Sequence, residues 1–304
     1  MATPIVGSDA TFAVADEDLK MIRTRPSGAR GRCTQTAGAI LVAILVTSGS
    51  SSAASAQSTE TAPDSDSSSA PREGPAPLKV GTMQRFSIPS EALAATVRYR
   101  LLVTAAPLSG QRLDLLLLIH GANANEDQWD DVAIDDALLR RSRQRELAPT
   151  LLLLPDGDSA GLDAPGDAPF ARFLLEELLP HVQREFPVTS RRARRAIGGI
   201  SRGGRWALTI AAAHPEQFGT VGGHSPVVPS GVAGRDVAVV FAAHQTRVWL
   251  DVGDSDALRE SVLAFAVQLR AAHAALRIDH HVGAHDRVYW RAQSNAYAAF
   301  YGRG

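Results

Sequence analysis

The sequence predicts an α/β fold, a mostly parallel sheet with helices on both faces. Three observations carry that expectation. Solid apolar runs such as LDLLLLIH (113–120) and TLLLLPDG (150–157) read as strands buried on both faces. Stretches with apolar residues at helical spacing separate such runs. The runs end in Gly, Pro, Asp or His, residues that leave a strand and open a turn. Buried strands alternating with helices form a parallel sheet whose sites lie at the strands' carboxyl ends.

Composition narrows the function classes. The chain has 304 residues and a formal net charge of -1. That balance gives no footing to a nucleic acid or an anionic membrane surface as partner. A hydrophobic share of 45% suffices for a large core. The single cysteine, Cys33, excludes an intrachain disulfide and a zinc site built on several cysteines.

From the N-terminus, residues 22–32 are cationic, residues 37–46 (AGAILVAILV) form an unbroken apolar run, and Ala54-Ser55-Ala56 has the A-x-A form of a cleavage site. These are the three parts of a secretory signal peptide. The apolar run is too short for the ~20 residues that cross a bilayer. Residues 1–56 are therefore expected to be an N-terminal extension plus signal peptide, with a secreted, periplasmic or cell-envelope mature protein and no stable membrane span. Residues 1–20 make an unusual extension, and Met21 is the expected start. Residues 57–78 are rich in Ser, Pro, Ala, Asp and Glu with no aromatic residue, the composition of a disordered linker. The catalytic domain is expected at 79–304.

Within it, VRYRLLV (97–103) alternates and reads as an edge strand. The two solid runs follow. PFARFLLEELLPHVQREF (169–186) is an amphipathic helix, RAIGGIS (195–201) a short strand, and GGRWALTIAAAHP (203–215) a helix stopped by Pro215. TVGGHSP (220–226) and TRVWLDVGD (246–254) are strands, and SVLAFAVQLRAAHAAL (261–276) is a helix that would contain His273. RIDHHVGAH (277–285) is a strand and turn, and YWRAQSNAYAAFYG (289–302) a closing helix. No internal repeat and no large lid domain is expected.

The chemistry gathers at strand ends. Gly199-Ile200-Ser201-Arg202-Gly203 matches G-x-S-x-G. The match gains weight from following an apolar strand and opening a helix, the context of a nucleophile elbow. The competing interpretation is a Gly-rich turn with a passive serine. A phosphate loop is disfavoured, because no Lys-Ser/Thr pair follows. A serine hydroxyl needs a base, and His285, just after the last strand, is the best placed of nine histidines. His224 is its one serious rival. His281 and His285 stand four apart, a metal spacing only on a helix, which this segment is not. An acid must orient the base, and Asp254 and Asp256 both follow the strand VWLDV. Asp256 is preferred, because a residue three past Gly253 has room to fold back toward the histidine. Ser201, Asp256 and His285 then stand in the α/β-hydrolase order of nucleophile, acid and base. Two backbone N–H groups should face the oxyanion. One is expected from Arg202, the other from Ala122 in the loop after His120-Gly121. Trp129, Trp206 and Trp290 are candidates for pocket walls, with core positions the commoner case.

Together LLLLIHGANANEDQW, LLPDG, FLLEELLPHVQREFPV, RRAIGGISRGGRWAL, VWLDVGDSD and VGAHDRVYW resemble the putative-esterase family, which includes esterase D-like enzymes. The resemblance spans about 110–302. It implies an α/β-hydrolase fold, a Ser-Asp-His triad and no cofactor, with hydrolysis of a carboxylic ester through an acyl-enzyme. Members often show G-x-x-D at the acid, which again selects Asp256. Arg202 departs from the family, many members of which have a smaller or apolar residue there. The expected substrate is a small-molecule or polysaccharide-linked ester. Two alternatives stay open: an acyltransferase using a sugar hydroxyl in place of water, and a non-catalytic surface-binding protein on the same scaffold.

Overall fold

The computed structural model describes residues 79–157 and 169–302. The expected signal peptide (1–56) and linker (57–78) lie outside the described residues. Eight strands form one sheet in the order β1-β2-β4-β3-β5-β6-β7-β8. β1 (Gln84–Ser90) and β2 (Ala95–Val103) make an antiparallel hairpin, and β2 runs antiparallel to β4 (Thr150–Pro155). From β4 outward through β3 (Asp114–Ile119), β5 (Arg195–Ile200), β6 (Thr220–His224), β7 (Arg247–Gly253) and β8 (Ala275–His281), every pairing is parallel. The sheet is thus the mostly parallel one expected.

Alternation decides which helices cover which face. Leu115, Leu117 and Ile119 of β3 point into one core, and Leu116 and Leu118 into the other. Leu151 and Leu153 of β4 divide from Leu152 and Leu154 in the same way. All these leucines are buried, so the runs read as unbroken rather than alternating. The first core is closed by α3 (Pro169–Arg172), a π-helical stretch (Phe173–Leu178) and α4 (Leu179–Glu185), and by α5 (Arg202–Ala213), α6 (Gly231–Ala243) and α7 (Arg259–Ala271). The second is closed by α1 (Gln128–Asp131), α2 (Ile134–Arg143) and α8 (Arg287–Tyr301). The π-helical stretch leads into Pro180, which lacks an N–H and crowds the preceding turn, and a wider turn accommodates both.

Two sequence expectations need correction. VRYRLLV is not at the edge: β1 pairs alongside it, Gln84 with Leu101 through Ser90 with Ala95. The segment QRFSIPS alternates weakly and contains Pro89, which only an edge position tolerates. The helix expected over 261–276 ends at Ala271, and His273 sits in a left-handed turn (φ 62°) that feeds β8. α6 was not foreseen, since its two glycines weaken a helical pattern. Among the described residues, no helix is long and apolar enough to cross a membrane.

Candidate active site

β5 delivers Ser201 to the carboxyl edge of the sheet, where the chain reverses directly into α5. The reversal is strained: Ser201 has φ 55° and ψ -116°. Its N–H donates to the His224 carbonyl on β6 (2.9 Å), and its carbonyl accepts from Val227 N–H (3.0 Å). The elbow closes so tightly that a Cβ on Gly199 would stand 2.1 Å from the Gly203 carbonyl carbon. One on Gly203 would stand 2.4 Å from the His120 carbonyl oxygen. The glycines of G-x-S-x-G are therefore demanded by close approach, and Ser201 is lifted between the ends of β3 and β6.

The structure brings His285 and Asp256 to this serine. His285 Nε2 lies 2.9 Å from Ser201 Oγ, and His285 Nδ1 lies 2.9 Å from Asp256 Oδ2. The Asp256 side chain is fully buried while the His285 ring is one third exposed, so the carboxylate is dry and the imidazole is open to solvent. Asp256 Oδ1 accepts the Leu258 N–H (2.8 Å), which fixes the second carboxylate oxygen. The loops carrying Asp256 and His285 are laced together: Asp254 N–H donates to the His281 carbonyl (2.8 Å) and Ser255 N–H to that of Gly283 (2.9 Å). The edge of Trp290 packs against the His285 ring (5.2 Å between centroids). Asp254 points elsewhere. It is 2.8 Å from His280 Nδ1 and near Arg259, with its side chain well exposed.

Beyond β3, His120 is buried and acts as a tether. Its Nε2 accepts the Gly157 N–H (2.7 Å), which leaves the proton on Nδ1 to donate to the Gly121 carbonyl (2.8 Å). Gly121 N–H donates to Gln128 Oε1 (2.7 Å). A Cβ on Gly121 would stand 3.5 Å from the Ser201 Cβ, so the loop carrying Ala122 lies against Ser201. Arg202 follows Ser201 at the first turn of α5, where N–H groups point outward from the helix. Beside this loop opens a polar cleft of about 700 Å³, lined by Asn123, Gln128, Asp131, Asp156, Arg98 and Arg287 among others. Arg98 bridges Glu126 (3.1 Å) and Asp156 (3.0 Å), and these carboxylates, Glu126 foremost, raise its pKa. In the neighbouring α1, burial pushes the Asp130 carboxyl up to about 6 against the opposing pull of Arg100.

His224, the rival base, belongs to a different assembly. It is completely buried, with Nδ1 2.5 Å from Asp251 Oδ1 and Nε2 2.8 Å from the Tyr301 hydroxyl. Asp251 Oδ2 accepts from Tyr289 (3.0 Å) and Tyr297 (2.9 Å). Burial, then the charge of Asp251, pushes all three phenol pKa values well above their ordinary value. The sheet makes room for the phenol of Tyr301: a Cβ on Gly198 or Gly222 would stand 1.8 or 2.0 Å from its oxygen. Both ring nitrogens of His224 are engaged inside this cluster. It gives Ser201 its backbone carbonyl.

Trp129 and Trp206 are core residues, buried away from solvent, and Trp290 packs against the His285 ring. The His120 tether and the α8 tyrosines escaped the sequence reading. One signal was available for the second: an aspartate inside the otherwise apolar strand VWLDV needs buried partners. Tyr289, Tyr297 and Tyr301 fall on one helical face, eight and then four residues apart. Among the described residues, no group of three or more His, Cys, Asp and Glu side chains could hold a metal ion.

Comparison with known proteins gives a consistent result. The model of the family described as putative esterase matches residues 103–301. Esterase Rv1288 of Mycobacterium tuberculosis strain H37Rv and esterase MT1326 of strain CDC 1551 are each 28% identical to this chain over 153 residues. That stretch is 48% of this chain and 32% of theirs, so the match spans about a third of the relatives' length. A solved ferulic acid esterase has a TM-score of 0.64 at 19% identity, covering 73% of this chain and 98% of its own. The S-formylglutathione hydrolase FrmB of Staphylococcus aureus gives 0.61 at 15%, covering 73% and 99%. The enterobactin esterase FES of Shigella flexneri gives 0.59 at 20%, covering 74% and 62%. At these identities the structural likeness establishes the α/β-hydrolase type of fold.

Proposed function

Since the chain belongs to the putative-esterase family, we propose that it is an exported serine hydrolase that cleaves carboxylic esters through an acyl-enzyme. The observation that carries this reading is the chain of two 2.9 Å hydrogen bonds from Asp256 through His285 to a serine held at positive φ. A nucleophile within reach of a base, and a base oriented by a third group, is the arrangement that activates a hydroxyl.

In this reading Ser201 Oγ attacks the ester carbonyl as His285 Nε2 takes its proton. Asp256 accepts from Nδ1–H, which keeps the reactive lone pair on Nε2 and stabilises the imidazolium. The N–H groups of Ala122 and Arg202 receive the oxyanion. His285 then donates its proton to the leaving alcohol and the acyl–serine ester remains; water, giving its proton to His285, attacks that ester, and Ser201 Oγ leaves with the proton as the acid is released. The polar walls of the cleft beside Ala122 favour a substrate with a hydrophilic portion over one that is apolar throughout. The N-terminal cationic, apolar and A-x-A segments support export, with the mature chain beginning near Gln57.

The test is covalent labelling together with turnover. An organophosphonate is expected to modify Ser201, and a short-chain chromogenic ester to be hydrolysed. Ser201→Ala should abolish both. Labelling that survives this substitution, or a wild type that neither takes the label nor turns over esters, would overturn the reading.

A further inference from the structure

The three tyrosines of α8 do not stand equally with respect to the base. Tyr289, Tyr297 and Tyr301 are all buried, and each places its hydroxyl in the Asp251–His224 cluster. Only Tyr289 lies near His285 in the chain, four residues beyond it. Its N–H is capped by Asp286 Oδ1 (2.9 Å), the residue directly after the base. Its ring lies against the turn that leads into His285: a Cβ on Gly283 would stand 2.5 Å from Tyr289 Cδ2. Gly283, at φ 150°, is also where the acid loop is fastened, since its carbonyl accepts the Ser255 N–H (2.9 Å). A Cβ on Gly253, at the start of the acid loop, would stand 2.4 Å from that same carbonyl oxygen.

The far end of Tyr289 is anchored in the sheet. Its hydroxyl donates to Asp251 Oδ2, and Asp251 sits fully buried on β7, in register with His224 on β6 and Asp279 on β8. The Asp251 carbonyl accepts the Ser225 N–H (2.7 Å), one residue past the His224 carbonyl that holds the Ser201 amide. The same strand position therefore references the nucleophile through backbone and the base loop through Tyr289. We propose that Tyr289 is a positioning residue for catalysis: bonded to Asp251 and packed beneath Gly283, it sets the height of the loop that carries His285 relative to Ser201. This rests on His285 serving as the base. Tyr297 and Tyr301 use the same cluster to dock the rest of α8, and their hydroxyls have no comparable hold on that loop.

Phenylalanine variants separate the roles, because each removes one hydroxyl and keeps the ring. Tyr289→Phe, Tyr297→Phe and Tyr301→Phe are measured beside wild type and Ser201→Ala for kcat, KM and thermal midpoint, with kinetics taken well below every midpoint. All three should lower the midpoint. Only Tyr289→Phe should lower kcat, by about tenfold, with KM changed less than about twofold, since a sub-ångström displacement of a base weakens proton transfer more than binding. The rate of phosphonate labelling of Ser201 should fall in parallel. A Tyr289→Phe enzyme with wild-type kcat, or equal losses in all three variants, would overturn the positioning role. An inactive, unlabelled wild type would instead overturn the esterase reading beneath it, so the two failures are distinguishable.

Discussion

Two histidines in this molecule have the same kinds of partner. His285 has an aspartate on Nδ1 and a serine hydroxyl on Nε2, and His224 has an aspartate on Nδ1 and a phenol on Nε2. They differ in surroundings. The His285 ring is one third exposed, beside a serine held in a strained turn. His224, its aspartate and its phenol are sealed between sheet and α8, edge-on to Trp129 and Trp249. A hydroxyl becomes a nucleophile only where a substrate carbonyl can reach it and the developing charge can be met. The buried copy has neither, and what it does have, directional bonds to a dry carboxylate, suits it to hold elements in place. The lesson is that an Asp–His–hydroxyl chain marks chemistry only together with access.

Removing the two rings should pull activity and stability apart. His285→Ala is expected to lower kcat by a factor of ~10⁴ or more while leaving the unfolding midpoint near wild type. His224→Ala should leave the folded fraction with kcat within about tenfold of wild type, yet cost about 3 kcal/mol or more of stability, because Asp251 is stranded with one partner fewer. Urea unfolding beside steady-state kinetics measures both. A folded but inactive His224→Ala enzyme would break the comparison.

The aspartates sharpen it at a smaller scale. Asp256→Asn should reduce kcat by a factor on the order of 10³, since an amide no longer holds the base in the productive tautomer. Asp254→Asn should stay within about threefold of wild type, because that side chain serves only the exposed His280 and Arg259. Circular dichroism would confirm that both fold. Reversed ranks would move the acid to Asp254.

The smallest effect appears only at alkaline pH and belongs to the buried region. The four tyrosines of the chain are Tyr99, pushed up to about 12 by burial, and Tyr289, Tyr297 and Tyr301, all raised from 10.0. Above pH 10 the unfolded chain releases phenol protons that the folded chain retains. The stability these groups contribute is thus present below pH 10 and is lost as pH rises beyond it. Tyrosinate absorbance should rise in one cooperative step with the loss of far-UV dichroism. A gradual titration with unchanged dichroism would show that the cluster is open to water.

Much of this was legible in the residues. The apolar runs gave the central strands, because a strand covered on both faces has no polar positions to interrupt it. Ser201 was legible because its elbow needs glycines at fixed offsets, and a backbone demand of that kind is local. The position of β2 inside the sheet was not, since β1 has the weak, proline-containing pattern that an edge strand can have. The His120 tether and the α8 tyrosines were hidden for another reason: their partners lie far away in the chain.

The α/β class, the strand–turn–helix around Ser201, and the succession of a serine, an aspartate and a histidine at strand ends were thus legible in the residues alone. Those follow from local periodicity, backbone sterics and succession along the chain. Which histidine and which aspartate stand together at the serine is a matter of packing. His224 and His285 both follow strands, and Asp254 and Asp256 are two residues apart, so no local pattern separates them. Their separation comes from where loops from β7 and β8 close over the edge of the sheet, leaving one imidazole between a buried carboxylate and the Ser201 hydroxyl, open to solvent, and sealing the other beneath α8. Burial and approach across dozens of residues of chain are properties of the packed fold, and they set which hydroxyl a substrate can meet.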